Sequence, residues 1–196
     1  MMAGFGLKDV PNALTVGRIA LSAATFFLLA AAAETPSAFV RDALLVASFL
    51  LFAAGAATDY FDGMLARRWN AASPWGVILD PIADKIAIAA AILGLVVLEP
   101  GPAIATPGFL ILFREMFVSG LREGLAPLGV KLPVTRLAKW KTTVQLIALA
   151  LEMIAALLPP GDPLRLSAHA LLWLAAALTL WTGWTYGRGA AQALKH

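Results

Sequence analysis

The sequence predicts an all-α polytopic membrane protein with six transmembrane helices and a short interfacial helix at its N-terminus. Three observations predict it. The 196 residues are 60% hydrophobic and 14% charged, with a mean hydropathy of +0.80, far from the balance of a water-soluble domain. Apolar stretches recur along the whole length, each near the roughly 20 residues that carry a helix across about 30 Å of hydrocarbon. The breaks between them are built from turn-forming residues. Inside lipid the backbone must satisfy its own hydrogen bonds, so segments of this length span as helices. One membrane domain over residues 1–196 is the simplest organisation.

Residues 1–10 set Phe5, Leu7 and Val10 against Lys8 and Asp9, as an interfacial helix does. The first span runs from about Leu14 to Ala33. Its basic lead-in and its Ala-Ala-Ala-Glu34 end also resemble a cleaved signal peptide; the polar Pro11-Asn12 and Thr15 at its start argue against that. The second span runs from Ala43 to near Leu65, the third from near Val77 to Leu98, and the fourth from about Phe109 to Leu125. The fifth covers Thr142 to Leu158 and the sixth Leu166 to Tyr186. The breaks fall at Glu34-Thr-Pro36, Glu99-Pro-Gly-Pro102, Pro127 to Pro133 and Pro159-Pro-Gly-Asp162. Alanine-rich stretches are those expected where helices pack closely in lipid.

The net charge of +3 is modest, but its placement is informative. Lys8, Arg67, Arg68, Lys131, Arg136, Lys139, Lys141, Arg188 and Lys195 fall at the two termini and in alternate loops; Arg41 and Arg165 fall on the other side. The positive-inside rule puts both termini and the second-to-third loop in the cytoplasm, and basic membrane ends attract anionic lipid. This basicity is no sign of nucleic-acid binding. There is no cysteine, which excludes disulfides, thiolate chemistry and cysteine zinc sites.

Four aspartates stand out: Asp59 and Asp62 at the end of the second apolar segment, and Asp80 and Asp84 at the start of the third. Ala43 to Thr58 and Ile86 to Leu98 carry no charge. A carboxylate ending an apolar helix is costly without a partner, so it is a functional candidate. Spacings of three and four put each pair on one helix face. Two such helices facing one another make an all-oxygen, negative pocket suited to Mg²⁺ or Mn²⁺. Pairing with Arg67, Arg68 and Lys85 is the plain structural alternative.

The pattern Asp59-x-x-Asp62-Gly63-x-x-Ala66-Arg67-x8-Gly76-x3-Asp80-x3-Asp84 resembles the signature of the CDP-alcohol phosphatidyltransferases, with all eight specified residues at the family spacing. The resemblance implies a six-helix membrane enzyme, a homodimer, that displaces CMP from a CDP-linked lipid with an alcohol. It implies two Mg²⁺ or Mn²⁺ ions held by Asp59, Asp62, Asp80 and Asp84, with Asp84 also the general base. The reaction expected is in-line attack on the phosphorus bearing the diacylglycerol, without a phospho-enzyme. The physics agrees: two divalent ions neutralise a pyrophosphate and clamp the attacking and leaving oxygens. Gly63, Ala66 and Gly76 have almost no side chain, so a nucleotide can approach the backbone. Arg67 suits a phosphate. With Asp59, Asn12 and Thr15 these complete the expected CDP-lipid site.

A second stretch, Arg114-Glu115-Met-Phe-Val-Ser119-Gly-Leu-Arg122-Glu123, interrupts the fourth helix with charge, and Lys139-Trp140-Lys141-Thr142 opens the fifth. Glu115, Ser119 and Arg122 share a face, with Arg114 about 100° away. These residues, with the opening Pro11-Asn12-Ala-Leu14-Thr15-x-x-Arg18, resemble the phosphatidylglycerophosphate synthase branch. That implies transfer of the phosphatidyl group from CDP-diacylglycerol to sn-glycerol 3-phosphate, giving phosphatidylglycerophosphate and CMP, at the cytoplasmic face of a bacterial inner membrane. Arg114, Arg122, Lys139 and Lys141 would supply positive charge for the acceptor phosphate. Arg114-Glu115 and Arg122-Glu123 can also be read as structural pairs, and the two lysines as topology anchors, although the place of Arg114 inside an apolar segment favours a site role for it.

Inositol phosphate, phosphatidylglycerol and serine remain alternative acceptors. A cation carrier is the rival from another class, but the halves lack the matched broken helices of carriers. His169 and His196 have no ligand-type sequence neighbours, Glu152 has no assignable partner, and the sixth helix reads as packing or dimer surface.

Overall fold

The structure is a computed structural model that describes residues 10–69, 74–129 and 136–194. The expected interfacial helix at residues 1–10 lies almost wholly outside them. Side chains from residue 60 to 74 and from 130 to 139 are also outside, which takes in those of Asp62, Ala66, Arg67 and Lys139, and the surroundings of Gly63.

Among the described residues six α-helices follow in order: α1 (Val10–Glu34), α2 (Ala38–Trp69), α3 (Pro74–Leu98), α4 (Pro102–Leu125), α5 (Arg136–Ala155) and α6 (Pro163–Ala193). No strand occurs among the described residues. All but α5 are long and apolar enough to cross a membrane; α5, with 20 residues, reaches about 30 Å at 1.5 Å per residue, but its sequence opens with Arg136, Lys139 and Lys141. The chain is an all-α polytopic membrane protein.

The helices overrun the apolar segments at most ends because polar residues at a membrane boundary extend a helix into the head-group layer at no cost in backbone hydrogen bonds. The charged stretch from Arg114 to Glu123 does not break α4, which is continuous to Leu125. Pro107 inside α4 and Pro81 inside α3 each cost one helical hydrogen bond. Between α5 and α6, Pro160 and Gly161 are the central residues of a turn closed by Asp162 N–H donating to the Pro159 carbonyl at 3.2 Å. Gly161 has φ +90°, the left-handed position that a type II turn assigns to glycine. Asp162 then accepts from the Leu164 N–H at 2.8 Å and caps α6.

Residues 1–98 and 99–196 form two compact units. In the first, α1 packs against both α2 and α3, which barely touch each other. In the second, α6 packs against both α4 and α5. The buried stripe of α1 is Thr15, Arg18, Ser22, Thr25, Leu29 and Ala32, alternating three- and four-residue steps. Its last two residues are apolar and its first four polar. Leu29 fits against Gly94 of α3 so closely that a Cβ there would lie 2.7 Å from Leu29 Cδ1. Ser22 and Thr25 donate to backbone carbonyls one turn back, at 2.7 and 2.9 Å. That leaves Arg18 as the charged member of the stripe.

Candidate active site

In the first unit, three motif aspartates meet one guanidinium. Arg18 Nη1 contacts Asp59 Oδ1 and donates to Asp84 Oδ1 at 2.7 Å. Its Nη2 lies 3.6 Å from Asp80 Oδ1. Thr15, one turn earlier on α1, donates from Oγ1 to the same Asp80 oxygen at 2.8 Å. The Arg18 side chain is 2% exposed, whereas those of Asp59, Asp80 and Asp84 are 50, 51 and 47% exposed. The cation is therefore the inner member and the carboxylates form its outward rim. Asp80 and Asp84 reach it together because a four-residue step keeps them on one face of α3; Asp59 arrives from α2.

This donor set suits a hard divalent cation. Its oxygens are carboxylates from two helices, and Asp59 and Asp84 share one nitrogen, so they converge on a volume the size of one small charged group. Among the described residues no three carboxylates or histidines lie close enough to enclose a metal by themselves. The side chain of the fourth motif aspartate, Asp62, lies outside those residues. Gly76 is one turn before Asp80 on α3, and Asn12 is three residues before Thr15 on α1.

The second unit carries a buried polar group between its helices. Glu115 of α4 pairs with Lys141 of α5 and with Arg114 Nη1 at 3.3 Å. Arg114 Nη2 donates to Thr182 Oγ1 of α6 at 3.0 Å. Gln145 of α5 donates to Thr179 Oγ1 at 2.6 Å and approaches Glu115 at 3.4 Å. Arg114 and Lys141 are 4% and 6% exposed. Two buried cations thus face one carboxylate. Arg122, exposed, donates to the Tyr186 hydroxyl at 2.9 Å, and the Tyr186 ring lies 5.6 Å from the Arg114 guanidinium and 5.0 Å from that of Arg122. Beside Arg114, an open apolar groove of about 520 Å³ runs between α4 and α6 past Phe113, Phe117, Leu180 and Trp184.

Gly183 makes this arrangement possible. A Cβ there would lie 2.7 Å from Arg114 Cγ and 3.3 Å from its Nε. Cγ is near the root of the side chain, so relief requires a new Arg114 rotamer or separation of α4 from α6. Gly183→Ala is expected to cost about 1–3 kcal/mol, the usual range for overpacking, read as a lowered melting temperature in detergent micelles. An unchanged melting temperature would show that Arg114 moves freely.

Of the expected residues, Asp59, Asp80, Asp84 and Thr15 come together around Arg18, and Arg114, Lys141 and Arg122 are linked through Glu115 and Tyr186. Asp62, Gly63, Ala66, Arg67 and Lys139 cannot be assigned contacts among the described side chains. The sequence reading missed Arg18 as a partner of the aspartates, although a charge inside an apolar helix is a signal for one. It also missed Gln145, Thr179, Thr182, Gly183 and Tyr186. Thus α6 is not merely a packing surface, because one of its faces is polar and reaches α4 and α5. His169 and Glu152, read as incidental and unpartnered, lie 2.9 Å apart, brought together by the packing of α5 on α6. Near them Arg165 pairs with Glu99 and donates to the Leu158 carbonyl at 2.9 Å.

The family model of the CDP-alcohol phosphatidyltransferases matches residues 8–181. The chain is 39% identical over 227 aligned residues to a CDP-diacylglycerol–glycerol-3-phosphate 3-phosphatidyltransferase of Cereibacter sphaeroides, covering 95% of this chain and 97% of that one. It is 39% identical over 179 residues to the protein of that name in Rickettsia bellii, covering 91% and 93%. It is also 35% identical over 199 residues to a cardiolipin synthase (CMP-forming) of Oryza sativa, covering 93% of this chain and 57% of the relative. With the match running through both units and Asp59, Asp80 and Asp84 gathered around Arg18, the chain belongs to the CDP-alcohol phosphatidyltransferase family.

Proposed function

We propose that this protein transfers the phosphatidyl group of CDP-diacylglycerol to sn-glycerol 3-phosphate, forming phosphatidylglycerophosphate and CMP. The observation that carries the chemistry is the convergence of Asp59, Asp80 and Asp84 on one cationic centre. The names of the bacterial relatives favour the acceptor. So does the buried group around Glu115, where two cations against one carboxylate leave a positive charge that an anion would neutralise.

Asp59, Asp62, Asp80 and Asp84 would hold two Mg²⁺ or Mn²⁺ ions, which, when bound, neutralise the pyrophosphate charge. Asp84 accepts the proton of the acceptor hydroxyl as that oxygen bonds to the phosphorus bearing the diacylglycerol. The bond from that phosphorus to the CMP oxygen breaks and CMP leaves. Asn12, Thr15, Gly63, Ala66, Arg67 and Gly76 would bind the CDP-lipid. Arg114, Arg122, Lys139 and Lys141 would attract the acceptor phosphate. Arg122 is the exposed one of the three described; Arg114 and Lys141 act through the field of their buried group. We further propose one domain over residues 1–196, supported by a family match that runs through both units, and a homodimer in a bacterial inner membrane. The loop charges support cytoplasmic termini and a cytoplasmic site.

The test is CMP release by purified protein given CDP-diacylglycerol and Mg²⁺ with glycerol 3-phosphate, inositol phosphate, serine or phosphatidylglycerol in parallel. Release with glycerol 3-phosphate alone is expected. Release with another acceptor keeps the aspartate chemistry and removes the acceptor assignment. Arg122→Ala is expected to raise KM for glycerol 3-phosphate by about tenfold, the loss of one charge-assisted contact, with kcat little changed. A fall in kcat at constant KM would contradict a ground-state phosphate contact.

A further inference from the structure

We propose that Arg18 is a resident counter-cation of the aspartate group, and that its charge sets how tightly the group binds divalent ions. The inference rests on the reading above that these aspartates take Mg²⁺ or Mn²⁺.

Arg18 is the inner member of the group, 2% exposed, and its three partners are each about half exposed. Three carboxylates brought together from two helices repel one another, and a buried positive charge among them offsets that repulsion. The bonding pattern points to charge rather than shape. An arginine that orients carboxylates spreads its fork of donors over them. Arg18 instead places both of its hydrogen bonds to these aspartates on Nη1, while Nε and Nη2 are buried with no hydrogen-bond partner among the described residues. Unsatisfied buried donors cost stability, so the guanidinium is held there by the field of the aspartates. Its ion contacts with Asp59, Asp80 and Asp84 are all to Oδ1 atoms. A divalent ion approaching the exposed side of the same carboxylates meets a fixed positive charge behind them. Arg18 would therefore weaken ion binding while holding the carboxylates together when ions are stripped away.

This gives a signature that a purely structural residue would not. Arg18→Gln is isolated with Arg18→Lys and the wild type in detergent, and Mn²⁺ binding is followed by the electron paramagnetic resonance of the free ion. Melting temperatures are measured in chelator and in saturating Mn²⁺. For Arg18→Gln the Kd for Mn²⁺ is expected to fall about tenfold or more, as removal of a unit charge a few ångströms from a divalent ion implies at protein dielectric. Its melting temperature falls in chelator and recovers in Mn²⁺. Arg18→Lys keeps the charge without the fork, and its Kd stays within about threefold of wild type on this electrostatic account.

A Kd for Arg18→Gln that is unchanged or weaker overturns the proposal. So does a loss of stability equal in chelator and Mn²⁺, which is what a packing role gives. If Arg18→Gln cannot be recovered folded, Arg18→Lys decides: a retained Kd supports the counter-charge, and a change beyond about tenfold in either direction, outside what an equal charge explains, overturns it. Wild-type protein that binds no Mn²⁺, or binds it equally after Asp59→Asn, refutes the metal reading itself; tight wild-type binding lost in Asp59→Asn isolates the question to Arg18.

Discussion

Asp84→Asn is expected to abolish CMP release while leaving most of the affinity for CDP-diacylglycerol. Asparagine has nearly the shape of aspartate but neither its charge nor its basicity, so it cannot take the proton of the acceptor hydroxyl. A positioned base contributes about 10²- to 10⁴-fold. The same change weakens the hold on a divalent ion, so a loss of about 10³-fold or more is expected. The scaffold should survive, because Arg18 keeps its contacts with Asp59 and Asp80 and the asparagine carbonyl can still accept from Nη1. The measurement is kcat from CMP release beside a direct titration with CDP-diacylglycerol. Full turnover would refute the role of Asp84. Parallel loss of turnover and binding would assign it to holding substrate.

The second large effect lies at Glu115. Glu115→Gln replaces the one carboxylate facing Lys141 and Arg114 with a neutral amide of the same size. Both cations are nearly inaccessible, so they would be left buried without a counter-charge. Removing one partner of a buried ion pair costs about 3–5 kcal/mol, which would lower the melting temperature in micelles steeply and remove activity with it. A double variant separates charge from shape. The group Arg114, Glu115 and Lys141 carries two positive charges and one negative. Glu115→Gln with Lys141→Met returns it to one net positive charge and spares a buried ammonium its desolvation. The double variant should be markedly more stable than Glu115→Gln alone. If it is equally unstable, the amide disturbs Gln145 and Thr179 rather than the charge balance.

Those residues mark the boundary of what is legible in the sequence. The helices are legible because a lipid solvent dictates apolar length, and the six segments were found with ends shifted by a few residues. Their ends are harder, since nothing in the head-group layer forces a helix to stop where hydropathy does. The aspartates of the motif are legible because charge at an apolar boundary is rare. Gly183, Thr182 and Tyr186 are not, because small and weakly polar residues are ordinary in a membrane helix, and their role depends on the helix that lies against them.

The sequence alone determined that this is an all-α membrane protein, which family it resembles and which carboxylates to suspect, because hydropathy and motif spacing are properties of the linear chain. Tertiary structure alone decided the partners. Arg18 meets Asp59 across 41 residues and Asp84 across 66, Arg114 meets Thr182 across 68, and Glu152 meets His169 across 17. A buried charge takes whichever opposite charge or dipole the packing brings within reach. That choice is made by which helix is central in each unit, α1 in the first and α6 in the second, and no local pattern along the chain records it.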